Sequence, residues 1–298
     1  MEWILLTGAN SGLGKATARR LVQDGQAVIL GCRTHDKAVE TRQQLLRDFP
    51  QANLKTAALE LSNLGQVKDW VAGVDVPVYG LIGNAGVSYQ APTKYTEEGV
   101  EWTFGVNHLG HFALTLGLLH RFPESLKRIL IVSSAVHDPA QSGGRFPPPD
   151  FKQVRDLAFP PEEESEDWDT IGSRRYVHSK LCNLWFTYEL HRRLLAQGRT
   201  VCVNAFNPGF VPGTNLGRHG PAVARFLFKY VLPGLRWVTD QVHTPAQVAE
   251  AMEGAFWADE SGYYWDRSEK GQSSALSHDE SKARELWALS VELTGLDL

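Results

Sequence analysis

With 298 residues, of which 43% are hydrophobic and 21% charged, the chain has length for one large α/β domain or two small ones and for a sizeable core. A formal net charge of −4 and a pI near 6.2 exclude the electrostatic footprint of a nucleic-acid binder. Three separated cysteines (Cys32, Cys182 and Cys202), with no Cys-x-x-Cys, exclude a disulfide framework or zinc site and suit a reducing compartment.

The N-terminal stretch MEWILLTGAN passes from a short apolar run straight into a glycine turn. It has no basic n-region and no cleavage site, and no apolar run anywhere reaches about 18 residues, so a cytoplasmic protein without a transmembrane segment is expected. Strands are predicted at WILLT, AVILGC, TAALEL, VYGLIG and RILIVSS, alternating with helical patterns that start near Leu13, Asp36, Leu64 and Glu97. Continuous Val/Ile/Leu strands alternating with helices imply a parallel sheet covered on both faces. From Pro139 to Arg175 the composition turns to Pro, Gly and acid, which predicts a surface excursion (139–175) with little core of its own. A helix then runs from Tyr176 to about Leu195, followed by a strand in TVCVNAF. The aromatic and aliphatic segment 211–238 is interrupted by Arg225, Lys229 and Pro233, so it does not span a bilayer. A last strand in GYYWD and a helix in DESKARELWALSVEL close the chain. The predicted fold is a single α/β domain over 1–298, a doubly wound, Rossmann-type parallel sheet of about seven strands flanked by helices.

TGANSGLG places Gly8, Gly12 and Gly14 between the first strand and the first helix. Glycine allows a sharp turn and close approach of backbone N–H groups to an anion, and the helix N-terminus adds partial positive charge. A pyrophosphate fits such a turn, although a tight βα turn without ligand uses the same residues. After the second strand, GCRTHDK puts Arg33 where an acid would receive ribose hydroxyls. A guanidinium matches a phosphate by its fork geometry, so NADP(H) is favoured over NAD(H). Asp36 reads equally as a helix N-cap.

Tyr176 and Lys180, four apart, share one face of a helix. They stand in an ordered set: GNAGV after strand four, VNHLGHF in the next helix, IVSSAV closing strand five, YVHSK, and NPGFV closing strand six. Each falls at or beside the carboxyl end of a strand, where open parallel sheets bind ligands. With the glycine turn, this set resembles the short-chain dehydrogenase/reductase family across essentially the whole chain. The resemblance implies hydride transfer between a nicotinamide dinucleotide and a carbonyl or alcohol, and puts a catalytic tetrad on Asn107, Ser134, Tyr176 and Lys180. Tyr176 would exchange the proton; a free phenol titrates near pH 10, and an ammonium at Lys180 would favour its ionised form. Ser134 would donate to the substrate oxygen, with Ser133 as the alternative hydroxyl. Asn107 would position a water linking Lys180 to solvent, unless it merely bonds backbone within its own helix.

The resemblance further implies cofactor contacts at Gly8, Asn10, Ser11, Gly12, Leu13, Gly14, Arg33, Glu60 and Leu61. Asn84, Ala85 and Gly86 would wall the adenine side, Tyr176 and Lys180 the nicotinamide ribose, and Pro208, Gly209, Val211 and Thr214 the nicotinamide. Glu60 stands where an aspartate usually reads the adenine amino group. His108 and His111 have no third ligand at readable spacing, so no metal is expected.

GANSGLGKATA, VNHLGHF, SKLCN and the tail SGYYWD…SKARELWALSVELTGL resemble the branch of light-dependent protochlorophyllide reductase and the retinol dehydrogenases. Cys182 matches the reductase's cysteine and is a candidate substrate-side residue; the alternative is a small buried hydrophobe. Segment 211–238 occupies the family's substrate lid, where Phe226, Phe228, Tyr230 and Trp237 offer apolar cover, an oligomer contact or core being the alternative. The activity expected is NADP(H)-dependent oxidoreduction of a bulky hydrophobic carbonyl or alcohol. Reduction of a tetrapyrrole double bond and a non-catalytic NADP(H)-sensing module are the alternatives, and homo-oligomerisation is left open.

Overall fold

A computed structural model describes residues 1–161, 167–209, 211 and 243–298. Its strands are β1 (Trp3–Thr7), β2 (Ala27–Cys32), β3 (Leu54–Ala58), β4 (Val78–Gly83), β5 (Arg128–Val132), β6 (Cys202–Asn207), β7 (Tyr264–Asp266) and β8 (Glu269–Lys270). They form one sheet in the order β3-β2-β1-β4-β5-β6-β7-β8, parallel except for the terminal β7–β8 pair. The order reverses direction between β1 and β4, which opens a crevice beyond the carboxyl ends of these strands.

Strand side chains point alternately to the two faces, and both faces are dry. Leu5, Ile29, Leu81 and Ile129 pack on one side with α3 (Leu64–Gly73), α5 (Gly110–Arg121) and α7 (Trp168–Ala196). Ile4, Leu6, Leu30 and Ile82 pack on the other with α1 (Gly12–Gln23), α2 (His35–Asp48) and α8 (Pro245–Trp257). Each such side chain, once buried, contributes about 1.5–3 kcal/mol. The last helix, α9 (Glu280–Thr294), lies over α5 and α7, with Trp287 edge-on to Phe112 at 5.1 Å and stacked on Phe186 at 6.1 Å.

Several boundaries differ from the sequence expectation, each for a tertiary or capping reason. The third strand runs 54–58 rather than through TAALEL, because its pairing with β2 spans Val28↔Leu54 to Cys32↔Ala58 and leaves Leu59–Leu61 as a connection. The seven expected strands are present, and among the described residues a two-residue β8, too short for any periodicity to reveal, adds an eighth. The helix expected near Glu97 starts at α4 (Trp102–Phe104), where the Glu101 carboxylate accepts from Phe104 N–H at 2.8 Å. It continues through a π-helical turn, Gly105–Leu109, into α5. Thr34, not Asp36, is the N-cap of α2; Asp36 lies in the first turn.

α7 begins at Trp168, capped by Asp167, so Tyr176 sits in its third turn and 168–175 are helix rather than loop. Residues 139–161 of the excursion are also better packed than their composition suggests. They hold a short helix α6 (Pro139–Ser142), and Val154 and Leu157 are buried in the core. Phe151 meets Trp185 edge-on at 5.9 Å. Thr214, Phe226, Phe228, Tyr230 and Trp237 lie outside the described residues.

Candidate active site

The glycine turn leaves β1 at Thr7 with positive φ at Gly8 (69°) and Gly12 (52°), a region where a Cβ is strained. Gly14 is constrained by space: a Cβ there would lie 2.2 Å from the Gly8 carbonyl oxygen. Asn10, Ser11 and Gly12 are partly exposed, whereas Leu13 and Gly14 are buried. Ser11 is the N-cap of α1 but makes no side-chain capping bond, so the first-turn N–H groups are left for an anion. The Asn84–Ala85 segment is fastened onto this turn. Both backbone N–H groups donate to Thr7 Oγ1 at 2.9 Å, and Asn84 Nδ2 donates to Thr7 O at 2.9 Å.

At the end of β2, Arg33 is 42% exposed and its Nε lies 3.4 Å from Glu60 Oε2. Glu60 Oε1 accepts from Ser62 Oγ at 2.8 Å and Ser62 N–H at 3.3 Å. The carboxylate expected to read a base amino group is thus held by the chain's own Arg33 and Ser62, because its longer arm folds back onto them. Leu61 is buried in the core layer.

The tetrad residues converge where β4 and β5 end. Asn107 lies in the π-helical turn, and its amide reaches outside its own helix. Oδ1 accepts from Val87 N–H at 2.7 Å, and Nδ2 donates to Val87 O and Ser179 Oγ, both at 2.9 Å. Lys180 Nζ donates to Val132 O at 3.0 Å, sharing that carbonyl with Asn183 Nδ2 at 3.0 Å. Burial lowers the Lys180 pKa to about 8, so the ammonium dominates at neutral pH. A Cβ at Gly86 would stand 3.4 Å from Asn107 Oδ1 and 3.7 Å from Lys180 Nζ, so the missing side chain keeps this space clear.

Tyr176 is 8% exposed, with the Lys180 Nζ 5.5 Å from its ring centroid. Burial pushes the phenol up, and a hydrogen bond with Ser134 pulls it down. The expected acidifying role of Lys180 is not the dominant influence in this arrangement, since the ammonium is directed at the Val132 carbonyl. Ser133 is spent on the fold: its Oγ donates to Lys180 O at 2.8 Å and the residue is 1% exposed. Of the two hydroxyls, Ser134 is the one that lowers the phenol.

On the β6 side, Gly209 has φ 67° and its N–H donates to Asn207 Oδ1 at 3.1 Å. The same oxygen accepts from Ala135 N–H at 3.0 Å, so Asn207 ties the Ser134 loop to the Pro208–Gly209 turn. Val211 is buried against the α8 layer. Asn207 was not singled out from sequence, although its place before Pro-Gly at a strand end was the available signal. Phe146 was missed too: it comes from the excursion, and its ring lies 6.5 Å from that of Tyr176.

Cys182 is fully buried in the core layer, and desolvation pushes its thiol up. It has the placement of a small hydrophobe rather than of a group facing the cleft. Both histidines are neutral and engaged. His108 Nε2 lies 2.9 Å from Ser290 Oγ, and His111 Nε2 lies 2.9 Å from Thr7 Oγ1; burial lowers them to about 3 and about 4.

Residues 2–143 match the short chain dehydrogenase family. Retinol dehydrogenase 14 of Homo sapiens is 36% identical to this chain over 317 residues, covering 98% of it and 86% of the relative. Protochlorophyllide reductase B, chloroplastic, of Oryza sativa subsp. japonica is 33% identical, covering 98% and 77%. The crystal structure of an uncharacterized protein from Mycobacterium paratuberculosis superposes with a TM-score of 0.72 at 28% identity, covering 100% of this chain and 94% of that one. Among the described residues no helix is long and apolar enough to cross a membrane. The sheet order and these relatives together establish that the chain belongs to the short-chain dehydrogenase/reductase family of oxidoreductases, in the branch of the retinol dehydrogenases and protochlorophyllide reductases, with a fold that implies a nicotinamide cofactor.

Proposed function

We propose that this protein is an NADP(H)-dependent oxidoreductase acting on a bulky, hydrophobic carbonyl or alcohol, with Tyr176 as the group that exchanges the proton. The observation that carries this reading is the meeting of Tyr176, Ser134, Lys180 and Asn107 beyond β4 and β5, beside a glycine turn with an uncapped helix N-terminus. When bound, the dinucleotide supplies or accepts the hydride. In the direction of reduction, the Tyr176 O–H bond breaks as an O–H bond forms on the substrate oxygen. A phenol kept protonated by burial is ready for that step, because an alkoxide is a far stronger base than a phenolate. Ser134 donates to the same oxygen, and Lys180 supplies positive charge while the phenolate exists. Phe146, beside Tyr176, gives the substrate an apolar wall.

Arg33 supports NADP(H). Its pair with Glu60 is half-exposed, and such a pair contributes only about 0–1 kcal/mol, so a 2′-phosphate can draw the guanidinium away. Replacing Arg33→Asp should invert the ratio of KM values for NADPH and NADH by about 10–100-fold, as expected for a lost charge-assisted pair. A variant that kept its NADPH preference would contradict this role.

The reading as a whole is tested by following NADPH oxidation with a panel from benzaldehyde to retinal. Faster turnover of the larger, more apolar members supports it; binding of NADPH with no turnover of any member leaves the non-catalytic sensor. The identity to a protochlorophyllide reductase favours a second reading, light-driven reduction of a tetrapyrrole double bond. The burial of Cys182 withdraws the substrate-side residue that would have supported it. Turnover of protochlorophyllide with NADPH only under illumination would establish it.

A further inference from the structure

Thr7 closes β1, and His111 lies in the first turn of α5; together they join the dinucleotide side of the site to the side that holds Asn107. The hydrogen inventory between them leaves one solution. Thr7 Oγ1 accepts from the N–H groups of Asn84 and Ala85 at 2.9 Å each, which uses both lone pairs of the hydroxyl. Its single proton has two acceptors in range, His111 Nε2 at 2.9 Å and Ile82 O at 3.5 Å, and the shorter bond prevails. Nε2 is then an acceptor, so the imidazole proton resides on Nδ1. That proton points at the Asn107 carbonyl, 3.1 Å away, which can only accept. Thus each ring nitrogen serves a different half of the site. Gly83 makes room for the ring, since a Cβ there would stand 3.1 Å from His111 Cδ2.

We infer that His111 is a positioning residue of this site. Through Nε2 it orients the Thr7 hydroxyl, and with it the Asn84–Ala85 wall; through Nδ1 it holds the Asn107 carbonyl of the π-helical turn. The ring is 1% exposed and is held neutral by burial and by the charge of Lys180, so the arrangement persists across the working pH range. The inference rests on the oxidoreductase reading above.

Side-chain length separates the two contacts. The amide nitrogen of asparagine stands where Nδ1 stands, and the amide of glutamine stands where Nε2 stands. His111→Gln keeps the Thr7 contact: its dinucleotide Kd, from direct fluorescence titration, should stay within about twofold while kcat at saturating dinucleotide falls about tenfold, as expected for one lost hydrogen bond. His111→Asn keeps the Asn107 contact and should show the reverse, Kd raised about tenfold with kcat within about twofold. A ring that only fills the core would weaken both quantities in both variants in step with the fall in Tm, and that result overturns the inference.

A double-variant cycle covers the case in which His111→Gln fails to fold. Thr7→Val raises Kd, and adding His111→Asn should raise it no further; additive losses would overturn the coupling. Should the unsubstituted protein bind dinucleotide but turn over no carbonyl, the oxidoreductase reading fails, and the Kd comparison alone decides the Thr7 contact.

Discussion

Tyr176→Phe should lose about 100- to 10,000-fold in kcat, the range typical of a positioned general acid, with dinucleotide Kd and Tm essentially unchanged. The phenylalanine ring fills the same space against Phe146, and the deleted hydroxyl is a polar group whose burial is a cost. No contact of the glycine turn or of the Arg33–Glu60 pair passes through the phenol, so binding of the dinucleotide should survive. The loss would therefore appear in the chemical step alone, measurable as NADPH oxidation at saturating carbonyl. A variant with turnover within twofold of the parent would remove Tyr176 from the proton path.

Gly14→Ala has the largest expected effect on the fold of the site. Its Cβ would lie 2.2 Å from the Gly8 carbonyl oxygen, 2.6 Å from Asn84 Nδ2 and 2.9 Å from the Gly8 carbonyl carbon. Two of these atoms are backbone, so no rotamer change relieves the clash and the turn itself must open. Overpacking of this kind costs about 1–3 kcal/mol or somewhat more, and the opened turn loses its close approach to an anion. Calorimetry should show a clearly lowered Tm, and fluorescence titration a dinucleotide Kd raised more than tenfold. Gly254→Ala is the contrast. It lies within α8, a Cβ there meets nothing within 4 Å, and helix propensity predicts a gain of about 0.5–1 kcal/mol. Equal stability of the two variants would contradict the tight packing of the turn around Gly14.

Strands of the central sheet were legible because both faces are buried, so the apolar runs that make them carry no polar interruption. Tyr176, Lys180, Ser134 and Asn107 were legible as a set because each belongs to a local motif at a strand's end. What could not be read is tertiary. The start of α7 is hidden because an acidic stretch precedes its first apolar turn, and only the Asp167 cap marks it. The buried apolar residues in the middle of the excursion, Val154, Leu157 and Ala158, are too few to outweigh the prolines around them. Ser133 and Ser134 are adjacent and chemically identical, and only the fold shows which hydroxyl is spent on the Lys180 carbonyl. The Arg33–Glu60 pair and the Thr7–His111–Asn107 connection join residues far apart in the chain, and no spacing announces them.

The same burial that keeps the phenol protonated is opposed, among the described residues, by Ser134, while the Lys180 charge is turned toward Val132. Donation in reduction can start from this neutral phenol, whereas accepting the proton in oxidation requires that the phenol become more acidic once the neighbouring dinucleotide site is filled. Carbon-13 NMR of tyrosine ring carbons, with the Tyr176 resonance assigned by its loss in Tyr176→Phe, reads that ionisation directly. Without dinucleotide the resonance should remain that of a neutral phenol beyond pH 10, the ordinary phenol value; with oxidised NADP bound it should titrate well below that. A Tyr176 signal that stayed neutral past pH 10 in the complex as well would contradict its assignment as the group that exchanges the proton in both directions.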